Sequence, residues 1–341
     1  MARHAVLVAE PPGEAGARVR RRTGRRWKVL GALALVGLVA GLALRNTSPV
    51  GHFTSAAAHD RFMAAYHRAM RELPAPDAVL DVRTGYGVVR FYRFDGGVPG
   101  RTPLVLLPGR AAASPMWADN LPSLRAERTV YTMDLLGEPG ASVQTRPIEN
   151  DDDQARWLHE ALAGLPEQRL HLLGMSLGGW TATNVVARQP ERIASLTLLD
   201  PAATFAPLAT EAVIRSIPAS VPWFPRSWRD SFNSWTAGGA PVEDVPVADV
   251  IEAGMQTYRT TVPSTITPFP DDLLAGIRTP VLAIMAGRSV MHDSAAAAEH
   301  ARRLLPTGTV MLYPEATHAI SGEFPDRIAA DVDAFLSRVD E

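Results

Sequence analysis

Residues 170–179 read Leu170-His171-Leu172-Leu173-Gly174-Met175-Ser176-Leu177-Gly178-Gly179, and the fold turns on this stretch. An apolar run ends at Gly174, a serine follows between glycines, and a helical pattern runs from Leu177 to about Arg188. A serine so placed sits on a tight strand-to-helix turn that lifts its hydroxyl clear of the sheet. The neighbouring glycines let backbone segments approach closely. Gly-x-Ser-x-Gly alone is a weak signal, and the strand before it and the helix after it give it meaning. Ser176 is therefore the candidate nucleophile, and the Leu177 N–H is placed to face an oxyanion.

Outward from the serine, short apolar runs alternate with helical patterns. Strands are expected at Val88–Phe94, Leu104–Leu107, Val130–Asp134, Leu170–Met175, Leu196–Asp200, Val281–Ala286 and Val310–Tyr313. Helices are expected over His59–Leu73, Asp151–Leu162, Leu177–Arg188, Ser294–Leu305 and Asp326–Val339. Continuous apolar strands separated by helices predict an α/β fold, with a mostly parallel sheet and helices on both faces. Ligands of such a sheet lie beyond the carboxyl ends of its strands. Residues 201–275 interrupt the alternation and are rich in proline and aromatics, among them Phe205, Trp223, Phe224, Trp228, Phe232 and Trp235. A segment of that length is not a plain loop and reads as a small helical cap.

Leu107-Pro108-Gly109-Arg110, the run Asp134–Ser142, the serine turn and Ala316-Thr317-His318 together resemble the α/β-hydrolase superfamily, specifically its capped, serine-nucleophile, esterase-like branch. The resemblance covers roughly residues 80–341. It implies the α/β-hydrolase fold, with His318, 142 residues beyond Ser176, as the base. It also implies a second oxyanion donor, the N–H of Arg110, in the loop after Leu107. Many relatives carry His-Gly where this chain has Pro108-Gly109. Asp134 is expected to be a structural turn residue.

The triad acid has two candidates. Relatives usually place an aspartate three residues after the glycine that ends the penultimate strand, and here that position is Val290. Asp293 lies three residues further on, where it also suits the N-cap of the Ser294 helix. Asp200, at the end of the preceding strand and before Pro201, occupies a position that some branches use. The other eight histidines read as surface or satisfied core residues. No metal-ligand spacing is present, and His292, Asp293 and His300 form no recognisable set. No dinucleotide fingerprint follows a strand, so no cofactor is expected. Dehalogenases and epoxide hydrolases of this fold use an aspartate nucleophile, against which Ser176 argues.

The 341 residues are 46 % hydrophobic and 21 % charged, a globular composition. With no cysteine, disulfides, thiolate metal sites and a cysteine nucleophile are excluded. Residues 1–45 hold nine Lys/Arg and two Glu, a balance of +7, so the overall net charge of −2 leaves −9 on the rest. An acidic body argues against nucleic-acid binding. The basic cluster Arg18–Lys28 precedes an apolar run, Val29–Leu44, that Arg45 closes. That order reads as a signal sequence or single-pass signal anchor, basic side in the cytoplasm and body outward; cleavage of the signal would make the protein secreted.

The expected organisation is a basic cytoplasmic tail over 1–28 and a transmembrane anchor over 29–45. A linker and surface helix over 46–80 follow, then an α/β-hydrolase core over 81–200 and 276–341 with the cap over 201–275. The expected activity is hydrolysis of a small, apolar, ester-like substrate through a Ser-His-Asp triad and an acyl-enzyme. The same triad serves cofactor-free perhydrolases and C–C bond hydrolases, and a catalytically lapsed, membrane-tethered binding protein is the alternative outside enzymes.

Overall fold

Each apolar run becomes a strand because helices can cover it on both faces. The computed structural model describes residues 48–221, 224–260, 266–305 and 307–341. The chain enters through strand β1 (His52–Phe53) and helix α1 (Ala56–Ala69), which Ser55 caps by accepting the Ala58 N–H. Strands β2 (Ala78–Thr84), β3 (Gly87–Phe94) and β4 (Leu104–Leu107) follow. A short helix α2 (Leu121–Arg125) leads to β5 (Val130–Met133) and β6 (Val143–Gln144). Helix α3 (Asp151–Ala163) is capped by Asn150, and three aspartates in its first turn suit the positive end of the helix dipole. Then come β7 (Leu170–Met175), α4 (Leu177–Arg188) and β8 (Ile193–Leu199). The next segment holds α5 (Thr210–Ala219), α6 (Arg226–Thr236), α7 (Pro246–Thr257), the two-residue strand β9 (Tyr258–Arg259) and α8 (Asp271–Ala275). Strand β10 (Val281–Ala286), α9 (Ser294–Leu304), β11 (Gly308–Tyr313), α10 (Ile320–Glu323) and α11 (Pro325–Asp340) complete the chain.

The main sheet has the order β11-β10-β8-β7-β4-β5-β3-β2, with β6 beside β3. From β11 to β5 the strands are parallel, and β3 and β2 continue antiparallel. Strands β4, β5, β7 and β10 bury every residue, as a sheet covered on both faces requires. Side-chain alternation divides the core into two layers. Val105, Leu107, Trp157 and Trp180 lie in one, and Leu104, Leu106, Trp117 and Phe335 in the other. The chain leaves β4 for β5 on one side and returns past it to β7 on the other. That reversal opens a crevice beyond the carboxyl ends of β4 and β7.

The strands and helices expected from the sequence are present to within a few residues, but two regions differ. From Ser48 onward, the segment expected as a linker and surface helix also contributes to the core. α1 buries Ala58, Phe62, Ala65, Tyr66 and Ala69, a stripe at helical spacing that needs a partner, and β1 pairs with β9. Residues from Ala78 onward already belong to β2. The anchor expected over 29–45 lies outside the described residues, among which no helix is long and apolar enough to cross a membrane.

At the amino ends of β7 and β8, His171 is buried against two partners. Its Nδ1 lies 2.7 Å from Ser195 Oγ, and its Nε2 lies 3.0 Å from Asp340 Oδ1. Buried Arg128 donates to Asp340 Oδ2 at 2.9 Å. This cluster ties the last turn of α11 to the floor of the sheet.

Candidate active site

The serine turn is built by close packing. Ser176 holds φ 51° and ψ −114°, while its N–H donates to Leu199 O and its carbonyl accepts the Trp180 N–H. A Cβ added to Gly178 would stand 2.2 Å from Leu107 O, and one on Gly174 would stand 2.4 Å from Gly178 O. Only glycine lets α4 start this close to β4 and β7. All five non-glycine residues with positive φ among the described residues (Ala111, Ala113, Ser176, Asp200 and Ala203) lie in loops just after β4, β7 and β8. Strain of this kind gathers where surrounding structure over-determines the backbone, commonly at reacting centres.

His318 follows β11 in a loop held by Glu323, which accepts from the Thr317 N–H at 2.8 Å and from its hydroxyl at 2.6 Å. His318 Nε2 lies 2.9 Å from Ser176 Oγ, and its Nδ1 lies 2.6 Å from Asp200 Oδ2. With the proton on Nδ1, the imidazole donates to the carboxylate and accepts from the serine hydroxyl. Asp200 is fully buried, and its Oδ1 also accepts the Ala286 N–H at 3.1 Å. Burial alone would raise the Asp200 pKa, but the imidazoles of His292 and His318 outweigh it and hold the carboxyl well below its ordinary range. Asp200 is therefore an anion in the folded protein across neutral pH.

Of the two acid candidates, the structure brings Asp200 to His318. Asp293 is exposed and caps α9, its Oδ1 accepting the Ala296 N–H at 3.0 Å. It makes no hydrogen bond or ion pair with His318. The β8–β10 pairing holds Asp200 against the end of β10, where its N–H donates to Ile284 O and its Oδ1 accepts the Ala286 N–H, while Asp293 has already turned away into α9.

The loop after β4 faces the serine, because a Cβ on Gly109 would lie 3.8 Å from Ser176 Cβ. The N–H groups of Arg110 and Leu177 make no hydrogen bond to a described residue. Next to them the Ala111 N–H donates to Glu138 Oε2 at 2.9 Å, and Glu138 Oε1 accepts the Thr260 hydroxyl at 3.0 Å. Glu138 is buried and holds the loop in place. Asp134 is buried and fully engaged. It accepts from the Ser114 N–H and hydroxyl, the Tyr66 hydroxyl and the Ala141 N–H, which makes it a structural knot.

Three residues were not legible as parts of the site: Glu138, Glu323 and His292. His292 is buried, and its Nε2 stands 3.3 Å from Asp200 Oδ1. In sequence it is one histidine among nine, and only the fold brings it to the carboxylate. No group of three or more His, Asp or Glu side chains suited to a metal occurs among the described residues.

A polarised serine, a histidine between it and a buried carboxylate, and two N–H groups beside the hydroxyl form a set suited to acyl transfer. A family model for the alpha/beta hydrolase fold matches residues 102–239. Carboxylesterase YbfK of Bacillus subtilis is 26 % identical over 282 residues, spanning 81 % of this chain and 93 % of the relative. The crystal structure of naproxen esterase from Bacillus subtilis superposes with a TM-score of 0.76 at 24 % identity, covering 82 % of this chain and 99 % of that one. A membrane phospholipase A described as a bacterial virulence factor superposes with a TM-score of 0.66 at 20 % identity, covering 92 % of this chain and 99 % of that one. Over residues 102–239 the sequence matches the alpha/beta hydrolase fold family, and the fold of the chain is that of the α/β-hydrolases.

Proposed function

We propose that the protein is a serine hydrolase that cleaves carboxylic esters through an acyl-enzyme on Ser176. The Ser176–His318–Asp200 alignment, at 2.9 Å and 2.6 Å, carries this reading. His318 Nε2 takes the hydroxyl proton as Ser176 Oγ attacks the ester carbonyl carbon. Asp200 keeps the imidazole oriented and stabilises its positive charge. The Leu177 and Arg110 N–H groups receive the developing oxyanion. His318 then returns the proton to the leaving alcohol and deprotonates a water, which releases the carboxylic acid and restores Ser176.

An apolar acyl or aryl group suits the aromatic-rich insertion over 201–275, which we read as a cap over the crevice. The curated relatives described as carboxylesterases support the same bond type. A fluorophosphonate probe tests the reading. Labelling that maps to Ser176, with hydrolysis of p-nitrophenyl acetate, butyrate and octanoate lost in Ser176→Ala, is the expected result. A folded wild type that neither labels nor hydrolyses these esters would overturn it. The reading includes a membrane tether formed by the basic and apolar segments within 1–45. Full-length protein should sediment with membranes while residues 48–341 remain in the supernatant, and equal partition of the two would remove the tether.

A further inference from the structure

Asp200 is approached by histidines from both sides. His318 reaches Oδ2 from the loop after β11, and His292 reaches toward Oδ1 from the loop after β10. The His292 side chain is 1 % exposed. Burying an imidazole without partners is costly, and neither of its ring nitrogens has a hydrogen-bond partner among the described residues. The polar atom that its Nε2 faces is Asp200 Oδ1, at ion-pair distance but off the line of a hydrogen bond. Such bonds are often long or misaligned in an unliganded site and tighten as charge develops.

We propose that His292 is a positioning residue for the reaction. In its Nε2–H form it clamps Asp200 Oδ1 together with the Ala286 N–H, so that Oδ2 stays aligned with His318 Nδ1. This rests on the serine-hydrolase reading above and extends the relay to Ser176–His318–Asp200–His292. The surroundings fit the role. Asp200 is the only acidic group within ion-pair distance of His292 among the described residues, and Asp293, next in the chain, turns outward to cap α9. Arg288, in the same loop, uses its N–H on Ala316 O, and a Cβ on Gly238 would lie 3.5 Å from its guanidinium. The loop after β10 is where the resemblance to α/β-hydrolases would place the acid. Here it supplies the clamp for an acid carried by β8.

The role predicts the sign of a pH effect. An N–H on Oδ1 disperses part of the carboxylate's charge. Removing it leaves more negative charge facing the His318 imidazole, so the rate should fall off at a higher pH on its acid side. The test is the rate of fluorophosphonate labelling of Ser176 against pH, for wild type, His292→Phe and His292→Gln, with Tm recorded for each. His292→Phe should label about tenfold slower near neutrality, with its acid limb moved to higher pH. His292→Gln, which keeps a side-chain N–H, should recover most of the rate and a limb close to wild type. A folded His292→Phe with the wild-type rate and limb would overturn the proposal, and so would equal slowing of both variants with the limb unmoved. Should His292→Phe not fold, 15N-imidazole NMR of the wild type decides. An Nε2–H resonance for His292 that moves when fluorophosphonate occupies Ser176 supports the clamp, and an Nδ1–H tautomer overturns it. Failure of the hydrolase reading is distinguishable, because wild type itself would then not label.

Discussion

Strands β7 and β8 carry two Ser–His–Asp chains, one beyond their carboxyl ends and one at their amino ends. Above are Ser176, His318 and Asp200. Below are Ser195, His171 and Asp340. The contacts are alike in length, 2.9 and 2.6 Å above against 2.7 and 3.0 Å below. The settings differ. Ser176 sits partly exposed on a strained turn with two unbonded N–H groups beside it, whereas Ser195 is buried within β8. The imidazole is also reversed, since Nδ1 faces the acid above and the serine below. Burial pushes His171 down to about 4, with Arg128 opposing and Asp340 favouring its charge. It therefore stays neutral at physiological pH and ties α11 to the sheet. A serine, a histidine and an aspartate in contact do not make a catalytic site. In the proposed reading, strain, access and oxyanion donors set the upper chain apart.

The comparison breaks most visibly at the serines. Ser176→Ala should lower kcat for p-nitrophenyl butyrate by a factor on the order of 10⁴ to 10⁶, while Ser195→Ala should leave kcat within about twofold of wild type. Equal losses would mean that the lower chain acts in catalysis. The acids come next. Asp200→Asn should cost about 10⁴-fold in kcat with the fold intact, because the imidazole is then held in the wrong tautomer. Asp340→Asn should lower Tm and leave kcat alone, read by thermal unfolding beside the ester assay.

A pH titration of stability sharpens the contrast further. His171 is held below its unfolded value of 6.5. Its contribution is complete above pH 6.5 and is lost as pH falls toward 4, because the unfolded chain takes up a proton that the folded chain refuses. Over that window the loss amounts to roughly 3 kcal/mol, measurable by urea unfolding at a series of pH values. His171→Gln should flatten this slope. The smallest effect belongs to Asp293. Asp293→Ala should remove a helix cap, lowering Tm by about 2 °C with kcat unchanged.

These outcomes also mark how far the sequence could be read. Ser176 was legible because its signal is local: an apolar strand, flanking glycines and a following helix. His318 was reached through the family resemblance, which expects a histidine in the loop after the last strand. The choice between Asp200 and Asp293 was not legible, since Asp200 follows β8 and Asp293 lies in the loop after β10, and only the packing of the fold brings one of them to His318. Asp293 followed its local preference for a helix cap, and Asp200 followed the sheet. Glu138 and His292 act across 27 and 92 residues on Ala111 and Asp200, a separation that no local pattern encodes. The helix over His59–Leu73 was legible, but the burial of its stripe was not, because Phe62 and Tyr66 pack against residues far along the chain.

The relay at the carboxyl end is most directly tested by kcat/KM for p-nitrophenyl butyrate, measured in parallel for wild type, Ser176→Ala, Asp200→Asn and Asp293→Asn. The account predicts near-complete loss for the first two variants and a value within about threefold of wild type for Asp293→Asn, because asparagine caps a helix as well as aspartate does. Loss in Asp293→Asn with activity retained in a folded Asp200→Asn would contradict it and move the acid to the loop after β10.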